Sequence, residues 1–343
     1  MVAQIDRAYL GARPGRAWPR LLAYGLFEGR PLTTRGRWIN PAVFATARLL
    51  CRLPALGPVE APAFILGTGR SGTTALGVTL SLHREVGFLN EPKALWASLS
   101  ETEDLIGSYH RGPARYRLGA ADADPALCRG ARRIYAGYLR AAGAKRIVDK
   151  YPEMIFRTGF LRAVFPDARF LFLSRGGAAT AVSMTSWSRR HGRAVSGEHH
   201  DWWGADGRKW RLLTEQIVPE HPDLAAHAGA MAGLDLAGRA AVEWIVTMRE
   251  GLALCAADPR GTLHLPYESL CAAPALWAAE LERFLGLAPD PGFPALAATR
   301  LRPPAPSPAP PPLPDWLRGP FQATEAALAR HRPPCPTSSG KPS

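Results

Sequence analysis

Residues 63–83 read AFILG (63–67), TGRSG (68–72) and TTALGVTLSLH (73–83): an apolar strand, a glycine-rich loop and a helix. A helix opening after such a loop leaves its first backbone N–H groups unpaired and points the positive end of its dipole outward, so the segment is suited to an anion. The octet Gly67–Thr74 satisfies two templates. As GxGxxG it is a dinucleotide fingerprint, with Glu91, nineteen residues after Gly72 and at the end of the next strand, placed to hold a ribose. As a phosphate loop it carries Thr73 in place of the usual lysine. Loss of that lysine argues against ATP or GTP hydrolysis, in which it reaches the terminal phosphates.

Outward from this segment, apolar strands alternate with helical stretches. VGFLN (86–90), RIVD (146–149), RFLFLS (169–174) and TLHLPYE (262–268) are the further strands. Helices are expected over 126–143, 154–164, from Ala178, over 237–256 and up to FLGL (284–287), and, nearer the start, over Trp18–Phe27 and Pro41–Cys51. This alternation predicts an α/β fold, a P-loop-like three-layer sandwich with a central parallel sheet flanked by helices. Three regions are expected: a basic, partly helical extension over 1–60, an α/β domain over 61–300 with a polar lid-like insertion at 188–236, and a proline-rich tail over 301–343 with one short helix at 321–330. Eight of the twelve residues from Pro303 to Pro314 are proline, which favours a stiff spacer or strap.

A second constellation decides between the two templates. Arg175 follows the RFLFLS strand, at the carboxyl end where parallel sheets bind ligands, and Ser183 lies eight residues on, about two helical turns. Together they offer a guanidinium fork and a hydroxyl for a second phosphate, which a dinucleotide site does not need. GTGRSGTT, DKYP (149–152), FLFLSRGGAATAVSM, PYESL (266–270) and FLGL, in that order, resemble the sulfotransferase family that uses 3′-phosphoadenosine 5′-phosphosulfate (PAPS). The resemblance implies that Arg70, Ser71, Gly72, Thr73 and Thr74 cradle the 5′-phosphosulfate, that Arg175 and Ser183 hold the 3′-phosphate, and that Tyr267 lies by the adenine and phosphates. Arg70 stands where many relatives carry lysine, as in the protein-tyrosine branch, and Gly176-Gly177 replace a more usual Asp-Pro or Asn-Pro.

The resemblance also bears on the base. Small-molecule members place a histidine shortly after a lysine-containing strand, and DKYP has none. The carbohydrate and protein-tyrosine branches use a glutamate after the second strand, which falls on Glu91, with Lys150 then stabilising the bridging oxygen; His83 and His110 are the next candidates. Such an in-line displacement needs positioned cations and a base, and the chemistry demands no metal. The expected function is sulfuryl transfer from PAPS, leaving 3′-phosphoadenosine 5′-phosphate, to a hydroxyl on a carbohydrate, lipid or secondary metabolite. The alternatives are an NAD(P)-dependent oxidoreductase using Gly67–Gly72, or a non-enzymatic scaffold acting through the proline-rich tail.

Composition agrees with anionic ligands. Over 343 residues, 42 basic side chains face 29 acidic ones, and only five of the basic ones are lysine. Five scattered cysteines without a CxxC pair argue for a reducing compartment, and no apolar leader or run of 18 apolar residues is seen, so a soluble cytoplasmic protein is expected. Nothing reads as nucleic-acid recognition, and oligomeric state is not legible. Glu198-His199-His200 reads as a solvated loop rather than a metal site. Trp202, Trp203 and Trp210, interleaved with Arg193, Arg208 and Lys209, read either as an acceptor lid or as anchors of the insertion on the core.

Overall fold

The computed structural model describes residues 3–195 and 197–337. Within them lie eight strands: β1 (Ala63–Gly67), β2 (Val86–Asn90), β3 (Arg146–Lys150), β4 (Arg169–Ser174), β5 (Arg193–Val195), β6 (Glu198–Asp201), β7 (Gly204–Ala205) and β8 (Thr262–Pro266). Five of them pair in parallel in the order β2-β3-β1-β4-β8, and β5-β6-β7 form a small antiparallel sheet. The parallel strands are largely apolar because helices cover both faces, with Asp149 and Lys150 of β3 as buried charged exceptions. Alternate residues divide between two cores. Phe64, Leu66, Phe170 and Phe172 face one core, with the helices Pro125–Ala142 and Leu236–Ala257. Ala63, Ile65, Leu171 and Leu173 face the other, with Thr73–Leu80 and Pro274–Leu285.

Local chemistry sets the helix ends. The carboxylate of Asp124 accepts from the N–H groups of Ala126 and Leu127 and so starts the Pro125–Ala142 helix, and Gly143 closes it in the left-handed region. The N-terminal helices Ala17–Leu26 and Asn40–Arg52 pack beside β2 and the Pro125–Ala142 helix and bury Ala23, Phe27, Ala47 and Leu50 in the first core. No helix of the described residues is long and apolar enough to cross a membrane.

Several elements differ from the sequence expectation. Residues 154–164 do not form one helix: Pro152–Arg157 is a 3-10 stretch, buried on all sides, and an α-helix runs only over Thr158–Val164. Here tertiary packing overrides helical periodicity. The last strand stops at Pro266, which has no N–H to extend the ladder, and Tyr267 opens a helix instead. The insertion is the small β5-β6-β7 sheet followed by the helix Arg208–Gln216, so Glu198-His199-His200 lies in β6 rather than in a loop. The tail helix spans Asp315–Arg330, beginning six residues before the expected start and running through Pro320.

Candidate active site

β1 lies between β3 and β4, so the loop 68–72 opens at the carboxyl edge where connections leave β1 in opposite directions, the usual ligand crevice of such sheets. Gly72 sits at φ 101° at the start of the Thr73–Leu80 helix, with no side-chain cap on the first N–H groups. Only glycine fits there, since a Cβ would stand 2.3 Å from the Tyr267 ring. The Ser71 hydroxyl turns inward and donates to the Thr68 carbonyl (2.6 Å), while Thr73 and Thr74 line the cavity above the loop. The Thr68 hydroxyl and the Arg175 Nε are buried without a protein partner, which is unusual for buried polar groups.

The two predicted phosphate-binding constellations meet. Arg175 donates to the carbonyl of Arg70 (2.9 Å), and Arg70 Nε donates to the Ser183 hydroxyl (3.3 Å). The Arg175 guanidinium lies 4.9 Å from the centroid of the Tyr267 ring, whose edge packs on Gly72. Arg70, Arg175, Ser183, Tyr267 and the loop thus form one cluster drawn from β1, β4, β8 and the helices after them.

Glu91 lines the same cavity as Arg70, Thr73 and Thr74, and Lys150 is buried behind it. Lys150 is the last residue of β3 and pairs in register with Asn90 of β2, so Glu91, one residue farther, comes beside it. The Lys150 ammonium, 1% exposed, binds the Glu91 carboxylate and not Asp149 or Glu153. Asp149 turns to the Trp96 indole and Tyr135 hydroxyl, and burial pushes its carboxyl up to about 7. Glu91 holds φ 51°, a left-handed conformation that costs about 1–3 kcal/mol outside glycine and that clusters at working sites. Two backbone bonds fix it: Glu91 N–H to the Lys150 carbonyl and Lys93 N–H to the Glu91 carbonyl, each 2.7 Å. Burial acts to raise the Glu91 pKa, but the Lys150 and Lys93 ammoniums outweigh it and hold the carboxyl below its ordinary value.

Beyond Glu91 runs a series of alternating charges that sequence reasoning missed. Glu91 meets Lys93 (3.6 Å), Lys93 meets Glu153 (3.2 Å), Glu153 meets Lys209 (3.2 Å), and Lys209 meets Glu243 (2.8 Å). Glu243 then accepts from the Trp202 indole N–H (3.1 Å), and the Trp202 ring lies where a Gly69 side chain would be. The series therefore begins at the proposed base and returns to the glycine loop. Lys93, Glu153, Lys209 and Glu243 are buried while Glu91 is partly exposed; burying those four charges in isolation would be prohibitive, and each is offset by neighbours of opposite sign. Burial lowers the Lys209 pKa, but Glu243 and Glu153 carry it up to about 12. One signal was available in the sequence: Glu243 is the lone acid in AAVEWIV (240–246).

Other expectations resolve differently. Trp203 and Trp210 are buried in the first core, edge to face at 5.5 Å, whereas Trp202 lines the cavity with Lys209 over its ring at 4.6 Å. Arg193 is exposed, and Arg208 is engaged with the Asp104 and Gly112 carbonyls. His83 is buried against the Ala288 carbonyl, His110 binds the Ala97 carbonyl, and neither lines the cavity of about 460 Å³ that contains Glu91. No cluster of metal-ligating residues occurs among the described residues. Gly177 makes room for the tail: a Cβ there would stand 2.4 Å from Phe321, and its N–H donates to the Glu325 carboxylate (3.2 Å). The dinucleotide reading fails on strand order. It needs the acid on the strand next to β1, whereas β3 separates β2 and Glu91 from β1.

Residues 62–221 match the family described as Sulfotransferase family. Over 144 residues the chain is 29% identical to the nodulation protein NoeE of Sinorhizobium fredii (strain NBRC 101917 / NGR234), covering 38% of this chain and 32% of that protein. An uncharacterized protein of Aquifex aeolicus (strain VF5) is 26% identical over 152 residues, covering 43% of this chain and 20% of the other. The chain thus spans a third or less of the length of these curated relatives. Among solved structures it is similar to the sulfotransferase domain from the curacin biosynthetic pathway, at TM-score 0.47 and 15% identity over 80% of this chain and 99% of that one. It is likewise similar to sulfotransferase STF1 from Mycobacterium tuberculosis H37Rv, at TM-score 0.44 and 20% identity over 87% and 88%.

Proposed function

We propose that the chain, whose residues 62–221 match the sulfotransferase family, moves a sulfuryl group from PAPS to an acceptor hydroxyl. The observation that carries this reading is the convergence of the glycine loop with Arg175 and Ser183, which gives one nucleotide two anion-binding places. The orphaned Thr68 hydroxyl, the orphaned Arg175 Nε and the uncapped helix start fit phosphate oxygens. In this reading the loop N–H groups and Arg70 hold the 5′ end, Arg175 and Ser183 hold the 3′-phosphate, and Tyr267 flanks the adenine. Glu91 takes the proton from the acceptor oxygen, and Lys150 stabilises charge on the oxygen that leaves. The low pKa of Glu91 keeps it an anion at neutral pH, ready to accept that proton.

Arg175→Ala tests the donor assignment. Its affinity for 3′-phosphoadenosine 5′-phosphate, measured by calorimetry, is expected to fall about 10- to 100-fold, the worth of hydrogen bonds to a charged group. Affinity for the analogue without the 3′-phosphate should fall far less; equal losses for both would remove Arg175 from the 3′-phosphate.

Lys93→Met tests the electrostatics of the base. Lys93 is one of the two cations that lower the Glu91 pKa, so its removal raises that pKa. The acidic limb of the kcat/KM profile should then move to higher pH. The loss at neutral pH should be about tenfold or less, short of the 10²–10⁴ that a general base contributes. An unmoved acidic limb would mean that it reports some group other than Glu91.

A further inference from the structure

Excess positive charge and exposed apolar side chains fall in the same stretch of this chain. Residues 1–56 hold nine arginines and no lysine against two acids, Asp6 and Glu28. Of the nine large apolar side chains that stand exposed among the described residues, eight lie between Leu10 and Leu56. They include Trp38, at 84% exposure, and Leu49, at 58%. No acidic residue occurs from Gly29 to Val59.

Along the helix Asn40–Arg52, Pro41, Ala45, Arg48, Leu49 and Arg52 recur at helical spacing on the solvent side, while Val43, Ala47 and Leu50 are buried. The outward face is therefore apolar and flanked by arginines. Arg35, Arg37, Arg48 and Arg52 are all exposed, and none forms an ion pair among the described residues.

Under this face lies a groove of about 1030 Å³, lined by Trp38, Phe44 and Arg48 on one side and by Ser108 and Tyr109 on the other. Ser108 and Tyr109 also line the cavity that contains Glu91. The Tyr109 hydroxyl is buried at this junction without a protein partner. Glu101 is the one acid on the groove.

We propose that this face docks on an anionic lipid bilayer, and that the groove admits the headgroup of an amphipathic lipid whose hydroxyl reaches Glu91. The docking stands on charge and exposure alone; the acceptor part rests on the sulfotransferase reading. An anionic bilayer answers both halves of the surface, because apolar side chains enter the interfacial region while arginines meet lipid phosphates. A second copy of the chain, in a symmetric contact, would instead set these unpaired arginines against one another.

The test is co-sedimentation of the full chain with vesicles of equimolar phosphatidylglycerol and phosphatidylcholine, against vesicles of phosphatidylcholine alone. Binding is expected to the first and not the second. The triple change Arg37→Gln, Arg48→Gln and Arg52→Gln should weaken it about a hundredfold at low salt. Trp38→Ser with Leu49→Ser should weaken it about tenfold or more, with the melting temperature of both variants unmoved. Failure of the unaltered chain to bind, or equal binding by the variants, overturns the docking. So does concentration-dependent self-association that the same changes abolish, which would assign the face to a second copy. Binding to vesicles with sulfation of water-soluble acceptors only would overturn the acceptor part. The nucleotide reading is judged separately, by whether 3′-phosphoadenosine 5′-phosphate raises the melting temperature.

Discussion

Glu91→Gln is expected to lower kcat by about 10²- to 10⁴-fold, the contribution of a positioned general base, with binding of 3′-phosphoadenosine 5′-phosphate retained. Glutamine keeps the shape and the acceptor oxygen that Lys150 now binds, but it cannot take a proton. The nucleotide contacts proposed for Arg70, Arg175 and Ser183 come from other elements, so calorimetry should still detect the nucleotide. The substitution also leaves Lys150 with less countercharge, whereas Lys93 keeps Glu153 as a partner. Some loss of melting temperature is therefore expected beside the kinetic loss. Glu91→Asp separates the two effects, because it restores the charge at a shorter reach and should recover stability more fully than turnover. Near-normal kcat in Glu91→Gln would move the base elsewhere. His83 and His110 are poor substitutes, since both are tied to backbone carbonyls outside the Glu91 cavity.

The second large effect lies far from the base. Phe321→Ala should destabilise the protein by about 3–5 kcal/mol, the usual cost of truncating a buried aromatic side chain. For a chain of 343 residues that lowers the melting temperature by about 4–7 °C. Phe321 is 2% exposed, lies 4.8 Å from the Trp244 ring and fills the space that Gly177 leaves open. Trp244 in turn donates to the Arg175 carbonyl (2.9 Å), so the cavity would form directly behind the arginine proposed for the 3′-phosphate. Phe321→Leu should recover much of the loss. A melting temperature unchanged in Phe321→Ala would show that the tail contributes little to holding this half of the site.

The features legible in the sequence are those that depend on short-range pattern. AFILG and RFLFLS are continuous apolar runs long enough for a buried strand and too short for most helices, and the glycines between β1 and its helix mark the turn. Arg175 and Ser183 could be placed because a strand end and helical spacing fix both positions. The missed features depend on contacts between distant segments. EHHD carries no alternating apolar pattern, so β6 is held by pairing with β5 and β7 and by the docking of Ala205 against Ile106, not by local propensity. Gly177 departs from the family pattern in a way that local sequence leaves unexplained; its reason is a phenylalanine 144 residues away. The alternating charges from Glu91 to Glu243 join four separate segments, and the periodicity of any one of them is silent about the others.

The seating of the tail on Gly177 has a consequence for how the protein is made. The carboxylate that accepts from the Gly177 N–H belongs to Glu325, 148 residues downstream. At about 5–20 residues per second, a ribosome needs roughly 7–30 s to add that length. Throughout that interval the nascent chain holds the start of the Gly177–His191 helix uncovered, and once Trp244 has emerged its ring waits without the phenylalanine that packs on it. The glycine loop and Arg175 are thus made well before the helix Asp315–Arg330 that packs behind Trp244. A nascent chain stalled before residue 321 would expose an aromatic surface of the kind that chaperones retain.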